Sequence, residues 1–456
     1  MRKNSKIHPS PLHILSPGQM MVAGFGFLIL LGAVLLTSPL SSANGTSTSF
    51  IDALFTATSA VCVTGLVVVD TSIHWSIFGK VVIILLIQVG GLGFMTLGTL
   101  VALIFGKKIN LRQRILIKEA LNQDDLSGSV KLIKEVLKYT LVIEGLGALL
   151  LSFAFIPQFG FLKGIGYSIF TSISSFCNAG FDLMGSISGE YSSIVSYYNR
   201  PLIVFTISAL IILGGIGFPV IINIVNKRHL KKLSLNSKMA LVTTAILIVG
   251  GFLMIFLGEV GHALHGMTLW EKFQVAFFQS VTTRTAGYAT IDLTQFREST
   301  LFVMIILMFI GASPASTGGG IKTTTAAVLF IAVKSFIKNE NEITVQHKRI
   351  NVFTFRKALG IFIIAISIAV LGVYLLSITQ DPKHFDILSC SFEVSSALAT
   401  VGLSLAGSYH LNGVGKVIIM VLMFAGRVGS LTIFTAFISE NKRKRVRYPE
   451  AKVLVG

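Results

Sequence analysis

Four copies of one short segment constrain most strongly how this chain can fold. In each copy a phenylalanine lies ten residues before a glycine, and a large apolar or aromatic residue follows that glycine. The copies are FTATSAVCVTGL, FTSISSFCNAGF, FFQSVTTRTAGY and FEVSSALATVGL, and their glycines are Gly65, Gly180, Gly287 and Gly402. These glycines are separated by 115, 107 and 115 residues. Identical offsets at a near-constant spacing indicate one structural unit that occurs four times.

The stretches that flank these copies are apolar enough to cross a membrane. Of the 456 residues, 53% are hydrophobic and only 13% are charged, whereas a soluble domain carries roughly 25% charged residues. The mean hydropathy is +0.78. A spanning helix needs about 20 apolar residues. We predict eight spans, at residues 19–39, 77–105, 138–156, 201–226, 238–258, 299–337 with an interruption, 356–379 and 415–438.

Each repeated segment lies between two of these spans and is too short to cross by itself. A half-helix that ends inside a membrane leaves carbonyl groups unpaired, which is tolerated where they line a cavity. Glycine permits the backbone angles that turn carbonyl groups toward a common axis, and a ring of carbonyl oxygens replaces the hydration shell of a monovalent cation. We therefore predict a potassium selectivity filter made by Val63, Thr64, Gly65, Asn178, Ala179, Gly180, Thr285, Ala286, Gly287, Thr400, Val401 and Gly402.

The predicted fold is an all-α membrane protein with four consecutive helix–pore-loop–helix repeats. Eight transmembrane helices and four re-entrant pore helices surround one central pore. The predicted order is an N-terminal segment 1–16, repeat 1 at 17–106, a connection at 107–137, repeat 2 at 138–226, a connection at 227–237, repeat 3 at 238–338, a connection at 339–354, repeat 4 at 355–440 and a tail at 441–456.

Basic residues fall on one side of this predicted topology. The N-terminus, the segments 107–138, 227–238 and 334–357, and the tail at 442–452 hold 28 of the 38 Lys and Arg residues. Because Lys and Arg are enriched in cytoplasmic segments, both termini of this multi-pass protein are predicted to be cytoplasmic. Topology and anionic lipid headgroups then explain the net charge of +18, so the lipid bilayer is an expected partner and nucleic acid is not.

The sixth predicted span contains an unusual polar stretch, ASPASTGGGIKTTT. It is not a phosphate-binding P-loop, because Ile321 separates the lysine from the last glycine and no strand precedes it. Pro314 interrupts helical hydrogen bonding, and each glycine disfavours a helix by about 1 kcal/mol relative to alanine. We expect the span to break into a loop at residues 312–322 within the membrane. The simpler explanation is that the glycines permit close helix packing.

Arg427 stands where the other second spans have glycine or alanine. A cation within an apolar span usually faces a cavity or a partner. Beneath a cation filter it would form an electrostatic barrier and could donate to loop carbonyl groups. The alternative is a structural ion pair with Glu259 or Glu393.

The fourfold unit, with one glycine per filter segment, resembles the Trk/Ktr/HKT superfamily of potassium transporters over about residues 17–440. The match is closest to the membrane subunit of bacterial Ktr systems, because eight spans occur without additional N-terminal helices. Members with serine at the first filter glycine tend to be Na⁺-selective, so Gly65 favours K⁺. The residue before the glycine differs among the copies, and only the glycine is common to all four.

The resemblance implies K⁺ uptake across a bacterial cell membrane through a channel-like pore, with Na⁺ as an activator in Ktr systems and no covalently bound cofactor. It also implies a homodimer and a separate cytosolic ring of nucleotide-binding subunits of the RCK/KTN type. In the family the broken span obstructs the pore beneath the filter. The corresponding gate residues are Ala312, Ser313, Pro314, Ala315, Ser316, Thr317, Gly318, Gly319, Gly320, Lys322 and Arg427.

Two other classes of protein are alternatives to a pore. An alternating-access secondary transporter, such as a Na⁺/K⁺ symporter, also uses broken helices but usually has inverted or paired repeats. An enzyme would need a polar catalytic cluster, which the sequence lacks. The widely spaced Cys62, Cys177 and Cys390 suggest neither disulfides nor zinc, and Arg284 is interpreted as a support for a pore helix.

Overall fold

The computed structural model shows a helical protein and describes residues 17–93, 129–227, 229–340 and 342–429. Several predicted parts lie outside the described residues. They are the N-terminal segment 1–16, the connection 107–137 up to residue 128, the tail 441–456 and the distal ends of the second and eighth predicted spans.

The helices are, in chain order, α1 (Pro17–Thr37), α2 (Phe50–Cys62), α3 (Ile77–Leu92), α4 (Ser129–Phe159), α5 (Phe161–Phe176), α6 (Gly185–Ser188), α7 (Pro201–Gly215), α8 (Phe218–Lys227), α9 (Leu235–Glu259), α10 (Leu269–Thr282), α11 (Glu298–Phe309), α12 (Thr323–Ile337), α13 (Val352–Thr379), α14 (Ile387–Ala399) and α15 (Gly413–Val428). A small hairpin pairs β1 (Thr344–Val345) with β2 (Lys348–Arg349) in antiparallel fashion. Single 3₁₀ turns occupy Pro39–Ser41, Val195–Tyr197, Leu230–Lys232, Leu293–Gln295 and Ser408–His410.

Four long helices precede the four repeated segments. They are α1, α4, α9 and α13, and within the described residues they are long and apolar enough to cross a membrane. A fifth span is obtained if α7 and α8 are counted as one bent helix. Two of the long helices begin at side-chain caps, since Ser234 accepts a hydrogen bond from Ser237 N and Asn351 accepts one from Phe353 N.

Four short helices, α2, α5, α10 and α14, contain the repeated segments. They have 13, 16, 14 and 13 residues, which is shorter than the roughly 20 residues of a spanning helix. Two of them begin at strong caps. Thr268 and Glu271 form a capping box on α10, and Asp386 accepts a hydrogen bond from Ser389 N at α14.

In three of the four copies, the second helix crosses its short helix at a glycine. A side chain at Gly90, Gly214 or Gly426 would overlap a carbonyl oxygen of α2, α5 or α14, namely that of Val61, Phe176 or Leu398. Small residues permit this close approach of two helices. In the third copy, a side chain at Gly311 would instead overlap the carbonyl oxygen of Gly319.

Two predicted spans are broken in the structure. The sixth ends as α11 at Phe309 and resumes as α12 at Thr323. The fourth, expected to be continuous over 201–226, is bent by 94° between α7 and α8. The continuous fourth span is therefore wrong, because Gly217 adopts a φ of +92° and Pro219 follows it.

The first and fourth copies pack against each other. The largest buried cluster joins α1, α2 and α3 to α14 and α15, and Phe55, Trp75 and Leu398 belong to it. An ion pair between Lys416 Nζ and Asp52 Oδ1, 2.6 Å apart, connects α15 to α2. The two ends of the described helical array are thus in contact.

Candidate functional site: a glycine ring and the loop beside it

The four repeated glycines contact one another in a closed ring. A Cβ atom on Gly65 would lie 2.5 Å from Ala179 O, and one on Gly180 would lie 2.6 Å from Ala286 O. In the same way, a Cβ atom on Gly287 would overlap the carbonyl oxygen of Val401, and one on Gly402 would overlap that of Thr64. Each glycine therefore faces the carbonyl group before the glycine of the next copy, and the fourth copy leads back to the first.

The backbone has the same unusual conformation in all four copies. The glycines have positive φ angles, 95°, 69°, 82° and 97° for Gly65, Gly180, Gly287 and Gly402. The residue two positions earlier is also left-handed, with φ angles of 57°, 58°, 71° and 52° for Val63, Asn178, Thr285 and Thr400. A left-handed residue other than glycine costs of order 1–3 kcal/mol. Four such residues at one place indicate a conformation retained for function.

Hydrogen bonds at the end of each short helix hold this conformation. In three copies, the N–H before the glycine donates to a carbonyl group five residues earlier. The bonds are Thr64 N to Ser59 O at 2.8 Å, Ala179 N to Ser174 O at 2.7 Å and Val401 N to Ser396 O at 2.8 Å. In the third copy, Ala286 N donates to Thr282 O at 3.0 Å. All twelve predicted filter residues are buried apart from Gly287, which is partly exposed.

The three consecutive glycines of the broken sixth span lie directly against these segments. A side chain on Gly318 would overlap the hydroxyl of Thr285, and one on Gly319 would overlap that of Thr400. Gly319 N donates to Thr400 Oγ1 at 3.0 Å, and Gly320 has a φ of +70°. Close approach to the left-handed residues, rather than helix packing, therefore explains why glycine is needed here.

The loop also contacts the second copy, and hydrogen bonds within the loop and at its ends hold it together. Thr317 Oγ1 donates to Phe176 O at 3.2 Å, next to the filter segment of the second copy. Lys322 Nζ donates to Gly318 O at 2.6 Å. The hydroxyls of Ser313 and Thr323 lie 2.9 Å apart, at the beginning and end of the loop. The loop is therefore a compact polar segment in contact with the second, third and fourth copies.

Arg427 fixes the loop to the first copy. Its guanidinium donates to Thr317 O in the loop and to Gly90 O at the end of α3. A third bond reaches Gly91 O at 3.0 Å. A planar guanidinium can bind several carbonyl groups at once, which a lysine cannot do in the same way.

The alternative ion pair for Arg427 is wrong. Glu259 instead accepts from Arg297 N at 3.0 Å and from Ala263 N at 3.3 Å. Glu393 accepts from Ser408 Oγ at 3.1 Å. Within the described parts of the chain, the partners of Arg427 are backbone carbonyl groups.

Sequence reasoning missed the contribution of the second copy to the loop. Ser313 N donates to Gly215 O at 2.9 Å, and Phe218 N donates to Ala315 O at 3.0 Å. These bonds occur at the 94° bend between α7 and α8. The sequence GGIGFP, with three glycines before a proline, was the available signal for that bend.

Arg284 lies three residues before Gly287, and the partners of its guanidinium among the described residues are backbone carbonyl groups. It is 6% exposed. Its guanidinium makes long contacts with Thr244 O at 3.5 Å and Gly311 O at 3.4 Å. It thus connects the third short helix to α9 and to the end of α11, as a supporting residue would.

An acidic group lies close in sequence to the glycine of the second copy. Asp182 comes two residues after Gly180 and accepts a hydrogen bond from Met184 N at 2.8 Å. Burial, as the largest cause, and the negative charge of Asp70 raise the pKa of Asp182 to about 6, while the Met184 N–H acts to lower it. In its ionised form this carboxyl group attracts cations.

The chain matches a family model described as TrkH, a cation transport protein, over residues 19–446. The potassium/sodium uptake protein NtpJ of Enterococcus hirae is 43% identical over 446 residues, which are 97% of this chain and 98% of that protein. The Ktr system potassium uptake protein B of Bacillus subtilis is 39% identical over 447 residues, 97% of each chain.

The fold is similar to that in the crystal structure of the potassium transporter TrkH from Vibrio parahaemolyticus. The TM-score is 0.75, and the match covers 94% of this chain and 87% of that one at 18% identity. At this identity the likeness bears on the fold alone. It confirms the predicted class, a helical membrane protein.

Proposed function

The chain belongs to the TrkH family of cation transport proteins, and we propose that it takes up potassium through a pore whose narrowest part is the ring of four glycines. The family is one of transporters and not of enzymes, and the predicted resemblance is confirmed at this level. The two relatives are named as uptake proteins for potassium, in one case together with sodium. The closed ring of glycines and carbonyl groups is the single observation that carries the proposal.

Ring chemistry supports a monovalent cation as the transported species. Backbone carbonyl oxygens replace the hydration shell of such an ion without a full negative charge that would hold it too tightly. The short helices α2, α5, α10 and α14 all end at the ring, so the negative ends of their dipoles favour a cation there. We propose that the twelve predicted residues line this filter.

The proposed topology places four helix–pore-loop–helix repeats around the ring, with both termini in the cytoplasm. The four long helices precede the four short ones in the order this requires. The excess of Lys and Arg in alternate connections supports the orientation. The proposed segment boundaries are those predicted from the sequence, in a multi-pass protein of a bacterial cell membrane.

We further propose that the loop 312–322 and Arg427 close the cytoplasmic side of the ring. The loop contacts three of the four filter segments, and Arg427 joins it to the first copy. The positive charge of Arg427 also repels an entering cation. Opening then requires the loop to leave the filter.

The proposed function also includes a partner subunit that regulates the pore and the association of two chains. A homologue is named as part of a Ktr system, which supports a separate partner subunit. We propose a homodimer that binds a cytosolic nucleotide-binding ring, with Na⁺ as an activator.

The test is rubidium or potassium uptake into liposomes that contain the purified chain. A pore predicts uptake driven by the K⁺ gradient alone, even when Na⁺ is present at the same concentration on both sides of the membrane. A Na⁺/K⁺ symporter predicts uptake that stops when the Na⁺ gradient is removed. Absence of K⁺ uptake with and without a cytosolic partner would contradict the proposal.

A further inference from the structure

The bend between α7 and α8 is built together with the loop. Gly217 has a φ of +92°, and a Cβ atom there would lie 2.5 Å from Pro314 O. The residue at the bend must therefore be glycine for two reasons, its backbone angle and the position of the loop. We call residues 214–218 the elbow.

Three backbone hydrogen bonds join the elbow to the loop. Ser313 N donates to Gly215 O at 2.9 Å, Thr317 N donates to Gly214 O at 3.3 Å, and Phe218 N donates to Ala315 O at 3.0 Å. The loop thereby satisfies carbonyl groups at the end of α7 and an N–H group at the start of α8, which a bend leaves unpaired.

Because of these hydrogen bonds, the loop and the elbow are expected to move together. If the loop left the ring while the elbow stayed in place, three buried backbone pairs would be broken inside the membrane. Unpaired backbone groups are costly there. The position of α8 and the position of the loop are therefore coupled.

Helix α8 extends this unit to the membrane surface. Helices α7 and α8 together form one candidate span that is bent by 94°, and α8 ends at Lys227, the first residue of the connection 227–237 that is predicted to be cytoplasmic. Its first half is buried through Phe218, Val220, Ile221 and Ile222. Its last residues Val225, Asn226 and Lys227 are exposed. An amphipathic helix with this placement is typical of the membrane interface.

The exposed end of α8 leads into an unbalanced positive segment. Lys227, His229, Lys231 and Lys232 are all exposed. No Asp or Glu occurs between Glu190 and Glu259 in the sequence. Positive-inside topology explains the sign of this charge, but it does not explain why the segment is joined through the elbow to the loop.

We propose that α8 and the lysines after it bind anionic phospholipid headgroups, and that the elbow transmits this binding to the loop. The inference depends on the proposed gating role of the loop. Because backbone hydrogen bonds couple α8 to the loop, release of the loop would move the lysines from the positions in which the structure exposes them, so headgroup binding at those positions favours the docked arrangement. Anionic lipid is expected to lower basal K⁺ flux.

The experiment compares uptake in vesicles of phosphatidylcholine with uptake in vesicles that also contain phosphatidylglycerol. Phosphatidylglycerol is expected to lower the basal flux of the full chain several-fold, and high salt should weaken the effect by screening. The variant Lys227→Gln/Lys231→Gln/Lys232→Gln should lose most of this dependence. The matched control Lys348→Gln/Arg356→Gln/Lys357→Gln removes the same charge from another exposed connection and should keep it.

A second variant separates lipid binding from its transmission. Gly217→Ala should still associate with phosphatidylglycerol vesicles but show flux that no longer depends on the lipid. If this variant does not assemble, the lysine variant and its control decide alone. Equal loss of lipid dependence in the two charge variants would overturn the proposal.

The outcomes also separate this inference from the proposed gate. If deletion of Gly318–Gly320 raises flux but phosphatidylglycerol has no effect on the parent, only the lipid inference fails. If the deletion has no effect in any vesicle, the loop is not the gate. If the lysine variant responds normally to lipid but loses stimulation by a cytosolic protein, the segment binds that protein and not lipid.

Discussion

Among single residues, Gly65 cannot be replaced by a larger residue without a change in the local backbone. Its φ is +95°, and a Cβ atom would lie 2.5 Å from Ala179 O. Gly65→Ser therefore adds about 1–2 kcal/mol of backbone strain and pushes the neighbouring carbonyl group out of the ring. We predict a several-fold lower K⁺/Na⁺ uptake ratio in a protein that still folds, measured by competitive uptake into liposomes.

Gly360→Ser is the matched control for this prediction, since no atom lies within 4 Å of the position a Cβ would take there. An unchanged ratio in both Gly65→Ser and Gly402→Ser would remove the filter assignment.

Arg427 provides a second prediction at the same scale. Its guanidinium joins the loop to α3 through Thr317 O and Gly91 O. Loss of a partner that leaves buried carbonyl groups unpaired costs about 1–3 kcal/mol. Arg427→Ala is therefore expected to raise basal flux about tenfold, because 1.4 kcal/mol corresponds to a factor of ten. Flux through the purified variant is measured without any regulator.

Two further variants separate the contribution of the Arg427 charge from that of its hydrogen bonds to carbonyl groups. Arg427→Lys should restore the charge but not the simultaneous carbonyl contacts, so its flux should lie between those of Arg427→Ala and the parent. Arg356→Ala, at an exposed arginine, should leave flux unchanged. If Arg427→Ala assembles normally and conducts no more than the parent, the arginine is structural only.

Among the elements, the loop is the one most directly open to test. Deletion of Gly318–Gly320 removes the part that lies against Thr285 and Thr400. We predict a higher basal flux and a weaker dependence on a cytosolic partner. With this part removed, the shortened loop no longer lies against these two threonines, so less is left for a regulator to displace. Uptake with and without the partner measures both effects.

A loop with a purely structural role predicts the opposite result. The deletion would then cause misfolding or loss of flux, which size-exclusion chromatography and thermal unfolding distinguish from a closed pore. Gly318→Ala is a milder version, since the added Cβ would overlap the Thr285 hydroxyl and displace the loop. It should raise flux in the same direction as the deletion.

Sequence patterns predicted some of these elements and not others. Gly65, Gly180, Gly287 and Gly402 were identifiable because four copies share the same offsets, and a repeat is visible without a partner. The elbow at Gly217 was not, because GGIGFP lies within an apolar run that also fits a continuous span. The partners of Arg427 were not predictable either. Backbone carbonyl groups carry no sequence signature, and Gly91 lies more than three hundred residues away.

At the scale of the whole molecule, one chain contains a complete ring. The first and fourth copies close it through the core shared by α2 and α14 and through the pair between Lys416 and Asp52. A second chain is thus not needed to complete the filter. If the protein is a dimer, as proposed, each subunit contributes its own pore, and the interface serves regulation rather than conduction.

The C-terminal tail provides the prediction that tests this division of roles. The last residues, YPEAKVLVG, follow the basic run KRKRVR and end in apolar residues, which is unusual for a solvated tail. These residues lie outside the described part of the chain. Deletion of Tyr448–Gly456 is expected to weaken dimerisation or binding of the cytosolic partner. Because the ring and the loop contain no residue from this segment, regulator-independent K⁺ flux and K⁺/Na⁺ discrimination should be preserved. Light scattering of the purified protein and uptake with and without the partner measure the two effects separately. A truncated protein that remains a stable dimer with full partner-dependent uptake would show that the tail has neither role.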